Sequence, residues 1–286
     1  MKKILFCLFF LTSAIMQSAE PEVILLWPKG VPESNGITEP EVTENERISN
    51  ISIPSMRFYP ADPSKNTGVT ILICPGGGYI REAAVHEGTQ FGEWLSKQGI
   101  NAFILKYRLP NKHAYIPLKD AQQAMQIIRS RSAEWKLNPS KIGVSGFSAG
   151  GHLASTLGTH FDKSNRPDFM ILFYPVVSMQ ESVTHAGSRE NLLGLGYRKD
   201  SVNYYSNELQ VTKDTPPTLL FLSGDDGSVP PQNSIDFYLA LQKFKVPASM
   251  YIFPEGGHGW GFHETFRYHE TWKGLYIDWL KERKIL

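Results

Sequence analysis

Cysteine is scarce: the 286-residue chain has 2, Cys7 and Cys74. Cys7 lies in an N-terminal apolar run, so a chain that loses that run keeps one thiol and no internal disulfide. Its core must then be stabilised by burial alone. An excess of one charge is lacking too, with 29 Lys and Arg against 28 Asp and Glu. That balance excludes the basic surplus expected of a protein that binds nucleic acid or anionic membrane. No apolar run reaches the roughly 20 residues needed to span a bilayer. The run from Ile4 to Met16 follows Lys2 and Lys3 and leads into small residues. This is the order of a secretory signal peptide, with cleavage after Ala14 or Ala19. Residues 1–19 are therefore expected to direct export, making the mature protein secreted or periplasmic, with an uncleaved anchor as the alternative. Repeats and low-complexity tracts are also missing, so residues 20–286 read as one domain. The zinc pattern H-E-x-x-H fails at its last position: after His263-Glu264, residue 267 is Arg267. A metal is therefore not expected.

What is present is an alternation of two periodicities. Val69–Cys74, Ala102–Leu105, Ile142–Ser145, Phe169–Tyr174, Thr218–Leu222 and Met250–Phe253 are short apolar runs without polar alternation. Such runs are strands buried on both faces, as in a parallel sheet covered by helices. Between them, Leu118, Ala121, Met125 and Ile128 share one helical stripe, as do Trp272, Leu275, Tyr276, Trp279 and Leu280. Strand and helix in regular succession predict a doubly wound, mostly parallel α/β sheet with helices on both faces. Residues 27–50, rich in Pro, Gly, Asn and Glu, read as an irregular opening segment. Residues 178–215 break the alternation with charges, tyrosines and two short helical candidates. They are expected to form an insertion over the strand ends, where ligands bind in such sheets.

The chemistry concentrates at strand ends. Gly146-Phe147-Ser148-Ala149-Gly150 follows the strand ending at Ser145 and precedes a helical run, the setting of a nucleophile elbow. So tight a turn leaves no room for side chains two positions either side of the serine. An alcohol needs a base to take its proton. Gly256-Gly257-His258-Gly259-Trp260 follows the last strand and supplies one in the chain order Ser, Asp, His. His86 and His113 come before the elbow, and His152, one turn beyond Ser148, reads as a packed helix residue. The acid that orients the base falls in Ser223-Gly224-Asp225-Asp226-Gly227. Asp226 is favoured, with Asp225 as the alternative and turn hydrogen bonding as its other role. Pro75-Gly76-Gly77-Gly78-Tyr79 closes the set: the amides of Gly77, Gly78 and Ala149 are the expected oxyanion donors. Tyr79 and Trp260 are candidate substrate contacts, packing being the alternative for each. No cofactor is needed for this chemistry.

Together with Leu105-Lys106-Tyr107-Arg108-Leu109, Leu118-Lys119-Asp120-Ala121 and the extended run Gly146 to Ala154, these motifs resemble the acetylxylan esterase and feruloyl esterase-like branch of the α/β-hydrolases, related to hormone-sensitive-lipase-type esterases. The resemblance spans nearly the whole mature chain. It implies the α/β-hydrolase fold, triad roles for Ser148, Asp226 and His258, and removal of acetyl or feruloyl groups from plant polysaccharides or their fragments. The partner it implies is an acylated carbohydrate, with no nucleic acid and no membrane; oligomeric state is not fixed by it. Many hormone-sensitive-lipase-type relatives place His before the glycines, where this chain has Pro75. A general short-chain carboxylesterase, a peptidase of the same fold, a lipase and a catalytically silent binding module are the competing classes. The length leaves no room for a peptidase's accessory domain, and no long amphipathic lid suggests a lipase.

Overall fold

Eight strands and the helices that connect them build the sheet seen in the computed structural model, which describes residues 21–286. The expected leader, residues 1–19, lies outside the described residues. In chain order the main-sheet strands are β1 (Glu22–Leu25), β2 (Ser55–Tyr59), β3 (Thr70–Cys74), β4 (Asn101–Lys106), β5 (Ile142–Phe147), β6 (Met170–Phe173), β7 (Thr218–Ser223) and β8 (Ala248–Phe253). Their spatial order is β1-β2-β4-β3-β5-β6-β7-β8. β2 pairs antiparallel with β1 and β4, and all other neighbours are parallel.

The α-helices are α1 (Gln90–Lys97), α2 (Tyr115–Ser130), α3 (Ser148–Thr159), α4 (Ala186–Leu193), α5 (Lys199–Tyr204), α6 (Gln232–Lys243) and α7 (His269–Glu282). Alternating side chains of the buried strands divide between two cores. Leu72, Phe103, Val144, Leu172 and Leu220 pack with Met125 and Ile128 of α2, Leu153 and Leu157 of α3 and Phe237 of α6. Ile71, Ile73, Ile104, Phe147, Phe173 and Phe221 pack with Phe91 and Leu95 of α1 and with Trp272, Tyr276 and Trp279 of α7. Both faces being covered explains why these strands carry no polar alternation. The expected doubly wound α/β-hydrolase arrangement is the one observed.

Two features differ from the sequence reading. The opening segment is not wholly irregular. Residues Val42–Glu44 and Arg47–Ser49 form a hairpin that pairs with Arg81–Glu82, making a small second sheet beside the glycine loop. β1 and β2 are additional strands; β1 is an edge strand with one buried residue, Ile24, and so lacks a clear hydrophobic pattern. The insertion at 178–215 does hold two short helices, α4 and α5, plus a 3₁₀ turn at Asn207–Leu209.

The motif Lys106-Tyr107-Arg108 and Asp120 turn out to be scaffolding. Arg108 and Asp120 are fully buried, with Arg108 Nη2 2.7 Å from Asp120 Oδ1 and Nε 2.9 Å from Oδ2. The Arg108 backbone N–H and Trp27 Nε1 also donate to that carboxylate. Satisfying a buried pair this fully offsets its desolvation, and removing one partner alone would leave an uncompensated charge. Tyr107, one residue earlier, reaches back to the active-site loop: its hydroxyl donates to the Pro75 carbonyl at 2.8 Å.

Candidate active site

Four loops at the carboxyl ends of β3, β5, β7 and β8 meet at one rim of the sheet, where ligands bind in open α/β folds. β5 runs directly into α3, and Ser148 sits at the junction with φ 51°. That left-handed conformation is costly for a residue with a Cβ, on the order of 1–3 kcal/mol. The neighbouring packing enforces it. A Cβ on Gly146 would lie 2.2 Å from the Gly150 carbonyl oxygen, and one on Gly150 would lie 2.1 Å from that of Cys74. The two glycines let β5, α3 and the β3 loop close on each other, and the serine is left projecting from the turn.

The structure brings together the three side chains expected from sequence. His258 Nε2 is 2.8 Å from Ser148 Oγ, and His258 Nδ1 is 2.7 Å from Asp226 Oδ2. The Asp226 side chain is only 1 % exposed, against 20 % for His258, so the imidazole alone bridges the buried carboxylate and the cleft. The other Asp226 oxygen accepts from the N–H groups of Ser228 and Val229, each at 2.9 Å. Asp225 points elsewhere. It accepts from the N–H groups of Gly256 and Gly257 and so tethers the His258 loop to the β7 loop; these bonds hold its pKa below the usual carboxylate range.

Gly77 and Gly78 line the cleft with Ser148 and His258. Both have positive φ, 129° and 65°. Gly77 also admits no Cβ, which would meet the Arg81 carbonyl oxygen at 2.2 Å. Among the described residues, neither N–H donates to a protein group. Ala149 lies in the first turn of α3, whose N–H groups have no intrahelical acceptor, and the helix end adds partial positive charge.

Tyr79 and Trp260 are corrections. Tyr79 is 2 % exposed. Its φ of 62° turns the side chain beneath the loop, where its hydroxyl lies 2.8 Å from His152 Nδ1. Trp260, 4 % exposed, stacks on Phe266 at 4.2 Å and donates from Nε1 to Ser223 Oγ. Both rings support loops, and neither lines the cleft that holds Ser148.

The Tyr79–His152 contact has a definite proton arrangement. His152 Nε2 lies 2.8 Å from the Tyr205 carbonyl, which can only accept, so Nε2 carries the proton and Nδ1 accepts from Tyr79. Burial pushes the His152 pKa down to about 4. The folded protein then binds fewer protons than the unfolded chain between about pH 4 and 6.5. Stability is full above that window and falls as pH drops through it, by roughly 3 kcal/mol from this group. His152→Gln should therefore show a shallower fall in melting temperature from pH 6.5 to 4 than the parent. Equal slopes would remove His152 from the acid response.

Other residues at the site carry no local sequence signal. Glu87, buried at 3 % exposure, accepts from the Gly76 N–H at 2.7 Å and from the Tyr174 hydroxyl at 2.8 Å. Tyr174 in turn accepts from the Gly261 N–H, and its ring stands edge-on to His258 at 4.8 Å. One carboxyl thus links the glycine loop to the loop bearing the base. Its pKa is raised by burial, against the opposing effect of these hydrogen bonds. The insertion contributes His185, Gly187 and Asn191 to the cleft. Asn191 Nδ2 donates to the Gly78 carbonyl at 2.8 Å. His185 Nδ1 accepts from the Ser188 N–H at the start of α4, so the neutral ring carries its proton on Nε2. The cleft measures about 460 Å³, and its walls divide about evenly between polar and apolar surface, with Ile80 as its large exposed apolar residue.

The family model for BD-FAE matches residues 57–241. An acetylxylan esterase of Xylanibacter ruminicola is 41 % identical over 228 residues, covering 78 % of this chain and 47 % of that protein. Endo-1,4-beta-xylanase B of Butyrivibrio fibrisolvens is 35 % identical over 204 residues, covering 66 % of this chain and 32 % of that protein. The chain thus spans less than half the length of these curated relatives. The crystal structure of an acetyl ester-xyloside bifunctional hydrolase from Caldicellulosiruptor lactoaceticus matches with a TM-score of 0.81 and 37 % identity, covering 93 % of this chain and 98 % of that one.

Proposed function

The chain belongs to the BD-FAE family of α/β-hydrolases, and from that premise we propose that it is a serine carboxylic-ester hydrolase removing acetyl groups from xylan or related plant polysaccharides and their fragments. The observation that carries this reading is the unbroken relay from Asp226 through His258 to Ser148, opening on a cleft flanked by unengaged amides. The acetylxylan esterase and the acetyl ester-xyloside hydrolase among its relatives support the acetylated carbohydrate as substrate. So does the wall chemistry: His185 Nε2–H, Ser228 and Asn191 suit sugar hydroxyls better than a lipid chain.

The proposed reaction has two halves. His258 Nε2 takes the Ser148 proton as Oγ attacks the acetyl carbonyl carbon. The amides of Gly77, Gly78 and Ala149 stabilise the oxyanion, each such donor typically contributing about 10²–10³ in rate. Collapse breaks the ester C–O bond, and the departing sugar oxygen takes the proton from His258. Water then attacks the acyl-serine, passing its proton to His258. The second collapse releases acetic acid and returns the proton to Ser148. Asp226 holds the imidazole in the tautomer that leaves Nε2 free to accept, and stabilises the imidazolium formed in each half. Export by a leader at residues 1–19 is part of this proposal, because polymeric substrate is met outside the cytoplasm.

Acetate release from acetylated xylo-oligosaccharides should exceed turnover of methyl ferulate, a long-chain triglyceride and a dipeptide arylamide at equal concentration. Faster release of ferulate would reassign the acyl group, and preferential cleavage of the arylamide would overturn the esterase reading.

A further inference from the structure

Two cations in the cleft have no part in the proton relay. Arg47 and Arg81 come from neighbouring strands of the small sheet, where Ser49 pairs with Arg81, and both line the cleft with Ser148 and His258. Among the described residues neither guanidinium makes a side-chain hydrogen bond or lies within 4.0 Å of a carboxylate. Arg108, Arg129, Arg131, Arg198 and Arg267 have carboxylate partners, while Arg57, Arg166, Arg189 and Arg283 lack one among the described residues but do not line this cleft. Glu44 sits opposite Arg47 in the hairpin without pairing to it. The acids of the site are already engaged: Asp226 with His258 and two amides, Glu87 with Gly76 and Tyr174.

Both arginines stand at the wall of the catalytic cleft, Arg47 half-buried and Arg81 exposed. The Arg81 carbonyl and Cγ lie against Gly77, where a Cβ would meet them at 2.2 and 3.2 Å. Burial and the stacked His263 ring hold the His86 pKa down to about 4, and the Arg47 charge adds to this; the same charge opposes the burial that raises Glu87. Arg47 therefore projects its field onto residues lining the same cleft.

We infer that the small sheet forms an anion subsite beside the catalytic serine, and that the preferred ester substrate carries a carboxylate, as an acetylated oligosaccharide bearing a uronic acid does. The inference rests on the esterase reading and sharpens its substrate. Guanidinium forks match a carboxylate in geometry, and charge-assisted hydrogen bonds are roughly twice as strong as neutral ones. A neutral sugar would leave both guanidiniums to solvent alone. One engaged carboxylate should raise kcat/KM by about tenfold to hundredfold. Salt should erode the gain, because the site is partly open to solvent.

The experiment compares kcat/KM of the full chain on acetylated xylo-oligosaccharides with and without a glucuronic acid substituent, at low salt and at 0.5 M NaCl, alongside an aryl acetate. The expected ratio of acidic to neutral substrate is ten or more at low salt, and smaller at high salt. It should fall towards one in the Arg47→Gln, Arg81→Gln double variant and recover in part in the Arg47→Lys, Arg81→Lys variant. A parent ratio of one or below, or a ratio that survives the double Gln substitution, overturns the subsite while leaving the esterase reading standing. Failure to cleave either oligosaccharide or the aryl acetate removes the esterase reading and the subsite with it.

Discussion

Ser148→Ala should lower kcat for an aryl acetate by about 10⁵–10⁶-fold while leaving the melting temperature within about 3 °C of the parent. The first half follows from the relay. His258 and the amides would remain, but no atom would be left to carry the acyl group, and what survives is the modest rate from oxyanion binding alone. The second half follows from the elbow. The φ of 51° at residue 148 is imposed by contacts of Gly146 and Gly150 with backbone carbonyls, and an alanine meets the same constraint with the same Cβ. The variant loses one hydrogen bond, typically about 1 kcal/mol, from an imidazole that is partly exposed and can take water instead. Kinetics on the aryl acetate and a melting curve check both halves. Retention of a tenth of the activity would mean that another nucleophile acts, and the relay geometry would then be incidental to turnover.

What was legible in the sequence follows from how local each constraint is. The elbow is written in five consecutive residues, so Gly146, Ser148 and Gly150 announce themselves in any α/β context, even though the Gly150 constraint comes from the Cys74 carbonyl of β3. His258 was readable because chain order and flanking glycines both single it out. The choice between Asp225 and Asp226 was not local, since both lie in one turn. It is decided by which carboxylate faces Nδ1 and which faces the amides of Gly256 and Gly257, some 30 residues on. The places of Tyr79 and Trp260 are hidden in the sequence for a related reason. Adjacency in sequence says that a ring is near the site, but the φ of 62° at Tyr79 decides that it lies beneath the loop. Glu87 could not be read at all. Its partners are Gly76, 11 residues away, and Tyr174, 87 residues away, and nothing between them repeats. The small sheet leaves no sequence signal, because strands of three, three and two residues are too short to display a period of two.

Asp226→Asn should cut kcat by about 10⁴-fold at neutral pH with little change in KM, whereas Asp225→Asn should cost less than about tenfold. The size of the first effect depends on a proton count particular to this site. Asp226 Oδ1 is fixed as an acceptor by the N–H groups of Ser228 and Val229, each at 2.9 Å. An asparagine must keep its carbonyl oxygen there, since the opposite orientation would aim an NH₂ at two donors. Its NH₂ therefore occupies the Oδ2 position, 2.7 Å from His258 Nδ1. Nδ1 then has to accept, and the neutral ring carries its proton on Nε2, which points at Ser148 and can no longer take the serine's proton. The base is still in place but in the wrong tautomer, so the loss falls on kcat rather than on binding. At residue 225 the same substitution weakens a loop tether and leaves the tautomer alone. Parallel kinetics on the two variants separate these accounts: a loss at residue 225 matching that at residue 226 would mean that loop position, and not proton placement, limits turnover.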